Sequence, residues 1–437
     1  MTELSRRTLV KTAAVIAAVL SLAPSVEATA TDGAPATSWI DPVTRHRIVR
    51  IDDSPGNYAL YFNYNPFTPD GKRMVYLTPE GIRVASTADW STRLVLRAAV
   101  DRLLFVGHRA PIAYYTTKTR GAADEGPSVV WSVDLDTGRR RRITALPGGR
   151  IESINADDTL LAGHYELSPP PPAIAAQGMR DPRTGSPAYA GLDAQGRPLS
   201  FADAKAQWMA ARLAAGVPME IFSVDIRSGE RRTITRSKDW LNHVQFSPTD
   251  PALLMYCHEG PWEKVDRIWT IRTDGSAKTN IHRRTMQGEI AGHEYWAPDG
   301  NTLWYDLIMP QGGRWLAGRD VRTGARRWYA LAPGQGSYHF STSPDGRTFS
   351  GDGGQDGKYI SLFHPRPDDG PSAKGTLGGE GLIATGTLDT ERLVDLTRHD
   401  YTLEPNQHFT PNGRWLVYRS NVEGKPAIYA VSLAVEQ

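Results

Sequence analysis

Cysteine is almost missing from this 437-residue chain: Cys257 stands alone, so no intrachain disulfide can staple the fold and packing must hold it. An excess of one charge is missing too. The 50 Lys plus Arg against 48 Asp plus Glu leave a formal net charge of +2, which gives no basic field for nucleic acid. Long apolar runs are also absent. The best candidate, Thr12 to Ala23, falls well short of the roughly 20 residues that cross a bilayer. No Gly-x-Ser-x-Gly elbow in a strand-to-helix context, no phosphate loop and no cysteine pair occurs. Serine-hydrolase, nucleotide and zinc-ribbon chemistry are thereby set aside.

What is present begins with an address. Ser5-Arg6-Arg7-Thr8-Leu9-Val10-Lys11 precedes the apolar run, and the small residues Ala28 and Ala30 offer cleavage points. Residues 1–30 therefore read as a twin-arginine export signal, which predicts a periplasmic or secreted protein with no membrane span once the signal is removed. Residues 31–57 read as an N-terminal extension.

From residue 58 onward two phrases repeat. The first is an aromatic residue, a small residue, then Pro-Asp/Asn-Gly before an apolar strand. It occurs at Phe67-Thr68-Pro69-Asp70-Gly71, Trp296-Ala297-Pro298-Asp299-Gly300 and Phe409-Thr410-Pro411-Asn412-Gly413, with looser copies at Phe246-Ser247-Pro248 and Ser343-Pro344-Asp345-Gly346. The second, Asp-x-x-Thr/Ser-Gly or a close variant, occurs around Asp134, Asp225, Thr273 and Asp320. Both are hairpin chemistry, because Asp, Asn and Gly accept the backbone angles of tight turns. Clear copies at Gly300, Gly346 and Gly413 lie roughly 45 to 65 residues apart, a spacing suited to propeller blades.

The expected fold is all-β: a single seven-bladed propeller of four-stranded antiparallel blades over 58–437. Blades are expected near 58–95, 97–146, 150–235, 240–285, 290–333, 336–390 and 398–435. An insertion over 168–216, with Pro169 to Pro172 and a helical patch near 202–215, interrupts the third blade as a lid or as an outer decoration.

Three residues before the aromatic position stand His243, His293 and Asn406, with His339 in the looser copy. If each copy opens the innermost strand of a blade, these side chains converge at one mouth of the channel. Imidazoles gathered there suit a metal ion and a general base. The two-residue period of a strand also puts Glu404 and His408 on the side of Asn406, and Gln407 on the other.

Leu241-Asn242-His243 through Pro248, Cys257-His258-Glu259-Gly260-Pro261-Trp262, Gly292-His293-Glu294-Tyr295-Trp296 and Gly351-Asp352-Gly353 together resemble the oligogalacturonate lyases of polysaccharide lyase family 22. The resemblance implies a propeller that cleaves an acidic oligosaccharide by β-elimination, with a divalent ion, Mn²⁺ or Ca²⁺, at the mouth. It implies His243 as the proton acceptor and His293 as a metal ligand. Glu404, Asn406 and His339 are the other candidate ligands. The last blade departs from the family: Tyr401-Thr402-Leu403-Glu404-Pro405-Asn406 stands where Gln-x-x-His-Pro-His is usual. The family's arginine near the base has no counterpart at Pro218-Met219-Glu220, and Arg212 is the substitute candidate. Tyr64, Arg267, His399 and His408 are candidate substrate contacts, Arg267 alternatively pairing with Asp266 or Glu259. His258 and Glu259 read as a structural link between blades. Two other readings remain: a lyase for another uronate-containing glycan, and a non-catalytic envelope propeller of the TolB type that binds glycans or proteins.

Overall fold

The computed structural model describes residues 36–118, 127–177, 189, 191–354, 356–368 and 383–435. The twin-arginine segment lies outside them. Among the described residues no helix is long and apolar enough to cross a membrane.

Turn chemistry sets the strand rhythm. In the first phrase Thr68 Oγ1 donates to Asp70 Oδ1 (2.6 Å), Ser343 Oγ to Asp345 Oδ1 (2.6 Å) and Thr410 Oγ1 to Asn412 Oδ1 (2.8 Å). The glycine that follows sits at φ 68°, 73° and 65° in these three copies. Only glycine adopts that angle without a Cβ clash. In the second phrase Asp134 and Asp320 each accept two backbone amides at 2.8–2.9 Å. The same side chains thus reverse the chain in the same way, and strands of similar length follow.

Those strands form six sheets, met in chain order with one exception. Arg73–Thr78, Gly81–Ser86 and Thr92–Arg97 make a three-stranded sheet. Four-stranded sheets follow over 102–146, 150–237 and 240–280. The fifth has eight strands: 290–330 and 340–395 each fold as a four-stranded unit, joined by parallel pairing of Arg326–Ala330 with Ile383–Asp395. The last has five, because Thr37–Ile40 and His46–Asp52 add to Ala427–Val435, Trp415–Ser420 and His408–Phe409. The architecture is all-β and propeller-like, but the expectation of uniformly four-stranded blades is corrected to sheets of three to eight strands. Residues 37–52, part of the expected N-terminal extension over 31–57, pair into the last sheet. Their pairing covers the edge of Ala427–Val435 and leaves the short strand Thr37–Ile40 outermost.

Segments from five of the six sheets, the eight-stranded one contributing twice, together with residues 62–69 ahead of the three-stranded sheet, line one axial cavity of about 450 Å³. Phe67, Phe105, Phe246, Trp296 and Phe409 face it, with Pro69, Pro248, Pro298, Pro344 and Pro411 at the turns. The aromatic position of the repeat therefore points at the axis.

The insertion between Leu160–Glu166 and Met219–Asp225 holds the helices Pro172–Gln177 and Phe201–Ala215. Ser200 caps the second through Asp203 N, and Gly216, at φ 56°, ends it in the left-handed conformation. Trp208 locks the two together by donating Nε1–H to Ile174 O at 2.9 Å.

Ile48 is 3% exposed in the core of the last sheet. Ile48→Ala should lower the unfolding free energy in urea by about 2–4 kcal/mol, as for a core residue. A cost near zero would return residues 37–52 to the status of an unpacked extension.

Candidate functional site

At the other end of the inner strands the backbone does something costly three times. His243, His293 and Asn406 stand at φ 50°, 49° and 49°, the left-handed region that non-glycine residues avoid at about 1–2 kcal/mol each. At the two histidines the strand is bulged, the register shifting between Asn242 and Gln245 and between Gly292 and Tyr295. A bulge takes an amide out of the ladder and re-aims the side chain. Neighbouring sheets satisfy the groups that the bulges release. Val244 N donates to Glu152 Oε2 at 2.8 Å, Phe246 N to Ser153 Oγ at 2.8 Å and Gln245 Nε2 to Glu294 O at 2.9 Å. Phe62 N donates to Asn406 Oδ1 at 3.2 Å.

The expected fourfold equivalence is corrected to three. His339 is not left-handed. It reaches the same region by a different hold, its backbone N and ring Nδ1 meeting Asp352 Oδ1 and Oδ2, both at 2.8 Å. His293 meets an aspartate likewise, Nδ1 lying 2.6 Å from Asp306 Oδ2. The His293 and His339 rings are 5.2 Å apart, edge to face. An imidazole whose Nδ1 faces a carboxylate carries its proton there and keeps Nε2 as an acceptor. Tyr61 Oη, 3.1 Å from His339 Nε2, then donates to it. Phe62 stacks on the same ring at 4.4 Å. Burial lowers the pKa of His293, but Asp306 outweighs it and the net shift is upward.

His243 is held differently. Its Nε2 lies 3.9 Å from Glu259 Oε1 and its Nδ1 3.9 Å from Glu294 Oε1, facing distances without hydrogen bonds. Its side chain is 30% exposed. Arg267 bridges the two glutamates, at 2.5 Å to Glu259 Oε1 and 2.9 Å to Glu294 Oε2. Burial pushes both carboxyls up, yet Arg267 and then His243 hold them at about 2. Glu152, which clamps the Val244 amide, is likewise lowered against its burial, chiefly by His164 at 3.3 Å. His243 therefore looks onto three ionised carboxylates from three strands.

The remaining sequence candidates divide. Arg267 is buried, and its guanidinium is taken up by Glu259 and Glu294; it organises the site, and substrate contact is not its role in this geometry. Arg212 is 5% exposed, pairs with Glu166 and packs over the Trp208 and Trp240 rings at 5.6 and 5.2 Å. It anchors the insertion. Glu404 is exposed, while its carbonyl accepts Asn406 Nδ2 at 3.2 Å. His408 is buried, bonds Leu60 O at 3.1 Å and lines the axial cavity, so the left-handed Asn406 breaks the alternation expected to align it with Glu404. His399 is buried and spends both nitrogens, on Ser420 Oγ at 3.0 Å and Leu403 O at 2.6 Å. Tyr64 lines the axial cavity, and burial pushes its hydroxyl up to about 12. His258 pairs with Asp239 at 2.6 Å, whereas its neighbour Glu259 belongs to the site.

Sequence reasoning missed Asp306, Asp352, Glu152 and Tyr61. Asp352 was signalled by its place in the Gly351-Asp352-Gly353 motif. Asp306 and Glu152 sit in unremarkable strands, and only cross-strand register brings them to the histidines.

For a divalent ion, Nε2 of His293 is a suitable donor, whereas Nε2 of His339 accepts from Tyr61 and would have to exchange that bond for the ion. Among the described residues no group of three or more His, Cys, Asp or Glu side chains is arranged around a metal position. The fit thus extends to two imidazoles.

The shifts fix an acid limb of stability. His408 is held down to about 4 from 6.5 by burial, and Glu259 and Glu294 at about 2 from 4.5. In each case the folded pKa lies below the unfolded one, so the contribution is full above the unfolded value and is lost as pH falls through the folded one. The unfolding free energy should drop by roughly 3 kcal/mol between pH 6.5 and 4 from His408 alone, then further towards pH 2. His408→Gln should flatten the upper part in pH-resolved urea titrations. An unchanged slope would show that His408 is not buried neutral.

Comparison with known proteins gives a family match over the stretch that holds most of these residues. The family model for oligogalacturonate lyase matches residues 215–361, which include His243, Glu259, Arg267, His293, Asp306, His339 and Asp352. The oligogalacturonide lyase of Pectobacterium atrosepticum is 28% identical over 221 residues, 48% of this chain and 54% of that protein. The oligogalacturonate lyase of Dickeya dadantii is 27% identical over the same shares. The chain thus spans about half the length of these relatives. A solved oligogalacturonate lyase in complex with manganese superposes with a TM-score of 0.69 at 20% identity, covering 93% of this chain and 98% of that one. The lyase from Vibrio parahaemolyticus gives 0.67 at 20%, covering 91% and 96%. In sequence over residues 215–361, and in fold along nearly its whole length, this chain is similar to the oligogalacturonate lyases.

Proposed function

We propose that this protein is a polysaccharide lyase that cleaves oligogalacturonate, or a closely related uronate oligosaccharide, by β-elimination with His243 as general base. The observation that carries the reading is the environment of His243: a left-handed, partly exposed imidazole facing Glu259 and Glu294 at 3.9 Å on either side, without a hydrogen bond to occupy either nitrogen. A base needs a free lone pair, a pKa near working pH and access to the proton it takes. Glu259 and Glu294 face the ring without taking up either nitrogen, and Arg267 keeps these two carboxylates from accumulating uncompensated charge.

The reaction takes the proton from carbon 5 of a uronate and expels the oxygen on carbon 4, leaving a carbon–carbon double bond. His243 takes the proton, and water protonates the leaving oxygen. The carbon-bound proton is weakly acidic until the adjacent carboxylate is neutralised. A divalent ion supplies that neutralisation when bound. His293, oriented by Asp306, would hold it, joined by His339 on exchange of its Tyr61 bond, and their nitrogens favour manganese over calcium, which prefers oxygen.

Counting the eight-stranded sheet as two blades gives a seven-bladed ring, with the N-terminal strands closing the seventh. The Arg6-Arg7 segment supports export to the periplasm or beyond. The substitution of Glu404 and Asn406 for the usual His-Pro-His favours testing uronates besides galacturonate.

His243→Ala should reduce turnover of trigalacturonate by about 10²–10⁴-fold, followed as ultraviolet-absorbing unsaturated product, with unfolding midpoint and bound manganese unchanged. Retained turnover would remove His243 from the chemistry. Chelator should abolish product formation and manganese restore it, and His293→Ala should lose bound manganese by elemental analysis. Full activity of the chelated protein would reject the ion's role.

A further inference from the structure

The proposed reaction needs anionic sugars held beside the histidines, yet both arginines singled out in the sequence are committed to glutamates. Another arginine is not. Arg419 ends the strand Trp415–Ser420, whose register with His408–Phe409 sets it opposite Asn406, and its backbone N donates to Pro405 O at 2.9 Å. Its guanidinium lies over the Tyr58 ring at 4.9 Å, forms no ion pair with a described residue, and has a buried Nε–H without a partner. Glu404 acts on it through space without pairing. Arg419 itself is half-buried and Tyr58 is 37% exposed.

We propose that Arg419, backed by Tyr58, is a subsite for the carboxylate of a uronate unit next to the one cleaved. This rests on the lyase reading and adds the residue that recognises the neighbouring sugar's charge. A planar guanidinium with free donors matches a carboxylate by two parallel hydrogen bonds, which a lysine ammonium cannot copy. The aromatic face beneath fixes the fork and leaves its edge for the ligand. Position supports the assignment. Arg419 is tied to Pro405, Asn406 accepts from Phe62, and Phe62 stacks on His339, so the cation and the imidazoles share one rim. Tyr61 continues that rim, its ring 5.1 Å from the His339 ring.

The test uses the full chain in a His243→Ala background, so that the probe is bound and not cleaved. Calorimetry compares trigalacturonate with its methyl ester, in the presence and absence of R419Q. The subsite predicts that R419Q weakens trigalacturonate at least tenfold and removes most of the preference for acid over ester. Equal affinities within twofold would overturn it, leaving Arg419 a packing residue. Should the glutamine variant not fold, R419K carries the comparison: weakening of several-fold supports the fork, and undiminished affinity overturns it. If the His243→Ala protein binds no trigalacturonate at all, the lyase reading fails and the subsite with it.

Discussion

Everything at the mouth depends on a backbone constraint, the left-handed residue at one register of the inner strands. An extended strand would alternate its side chains between faces and send His243 and His293 into the sheet. Turned to φ near 50°, they leave the ladder and face the mouth. The conformation is uphill, so it persists because neighbouring sheets over-determine it. Glu152 and Ser153 take the amides that the bulge at His243 frees, and Gln245 reaches across to the carbonyl beside His293. Strain and satisfaction sit on different sheets, which couples the site to closure of the ring.

That closure explains why the charges can be buried. Arg267 between Glu259 and Glu294 would be expensive to desolvate as an isolated pair. Here Asn242 at 2.6 Å to Glu259 and Cys257 at 2.6 Å to Glu294 satisfy further oxygens, and His243 faces both carboxylates. The lone cysteine thus has an electrostatic neighbour to serve. Its thiol is pushed well up by burial and by Glu294, which keeps it a donor and not a nucleophile.

The architecture was largely legible in the sequence, because Pro-Asp-Gly and Asp-x-x-Gly encode local turn geometry that tertiary contacts do not override. The shared left-handed register of His243, His293 and Asn406 follows the same repeat, while His339 meets His293 at 5.2 Å through a different hold. The features that escaped are those that depend on pairing between distant segments. The N-terminal strands 37–52 looked detached because their partner lies at the other end of the chain. Asp306 and Glu152 carry no local signal that they meet the histidine strands. Two-residue alternation failed at Asn406 because a left-handed residue rotates the strand beyond it, which sends His408 to Leu60 and into the axial cavity. Arg212 and Arg267 drew attention as cations. Arginines of that kind are as often consumed by structure as offered to a ligand.

The most direct measurement comes from the backbone itself. Glycine is the residue best suited to φ near 50°, so His243→Gly should keep the bulge and leave an imidazole-sized gap where the base stood. The account predicts that this variant is inactive on trigalacturonate and that added free imidazole restores turnover in proportion to its unprotonated fraction. A variant that turns over unaided, or one that folds and binds substrate yet is never rescued, would contradict it.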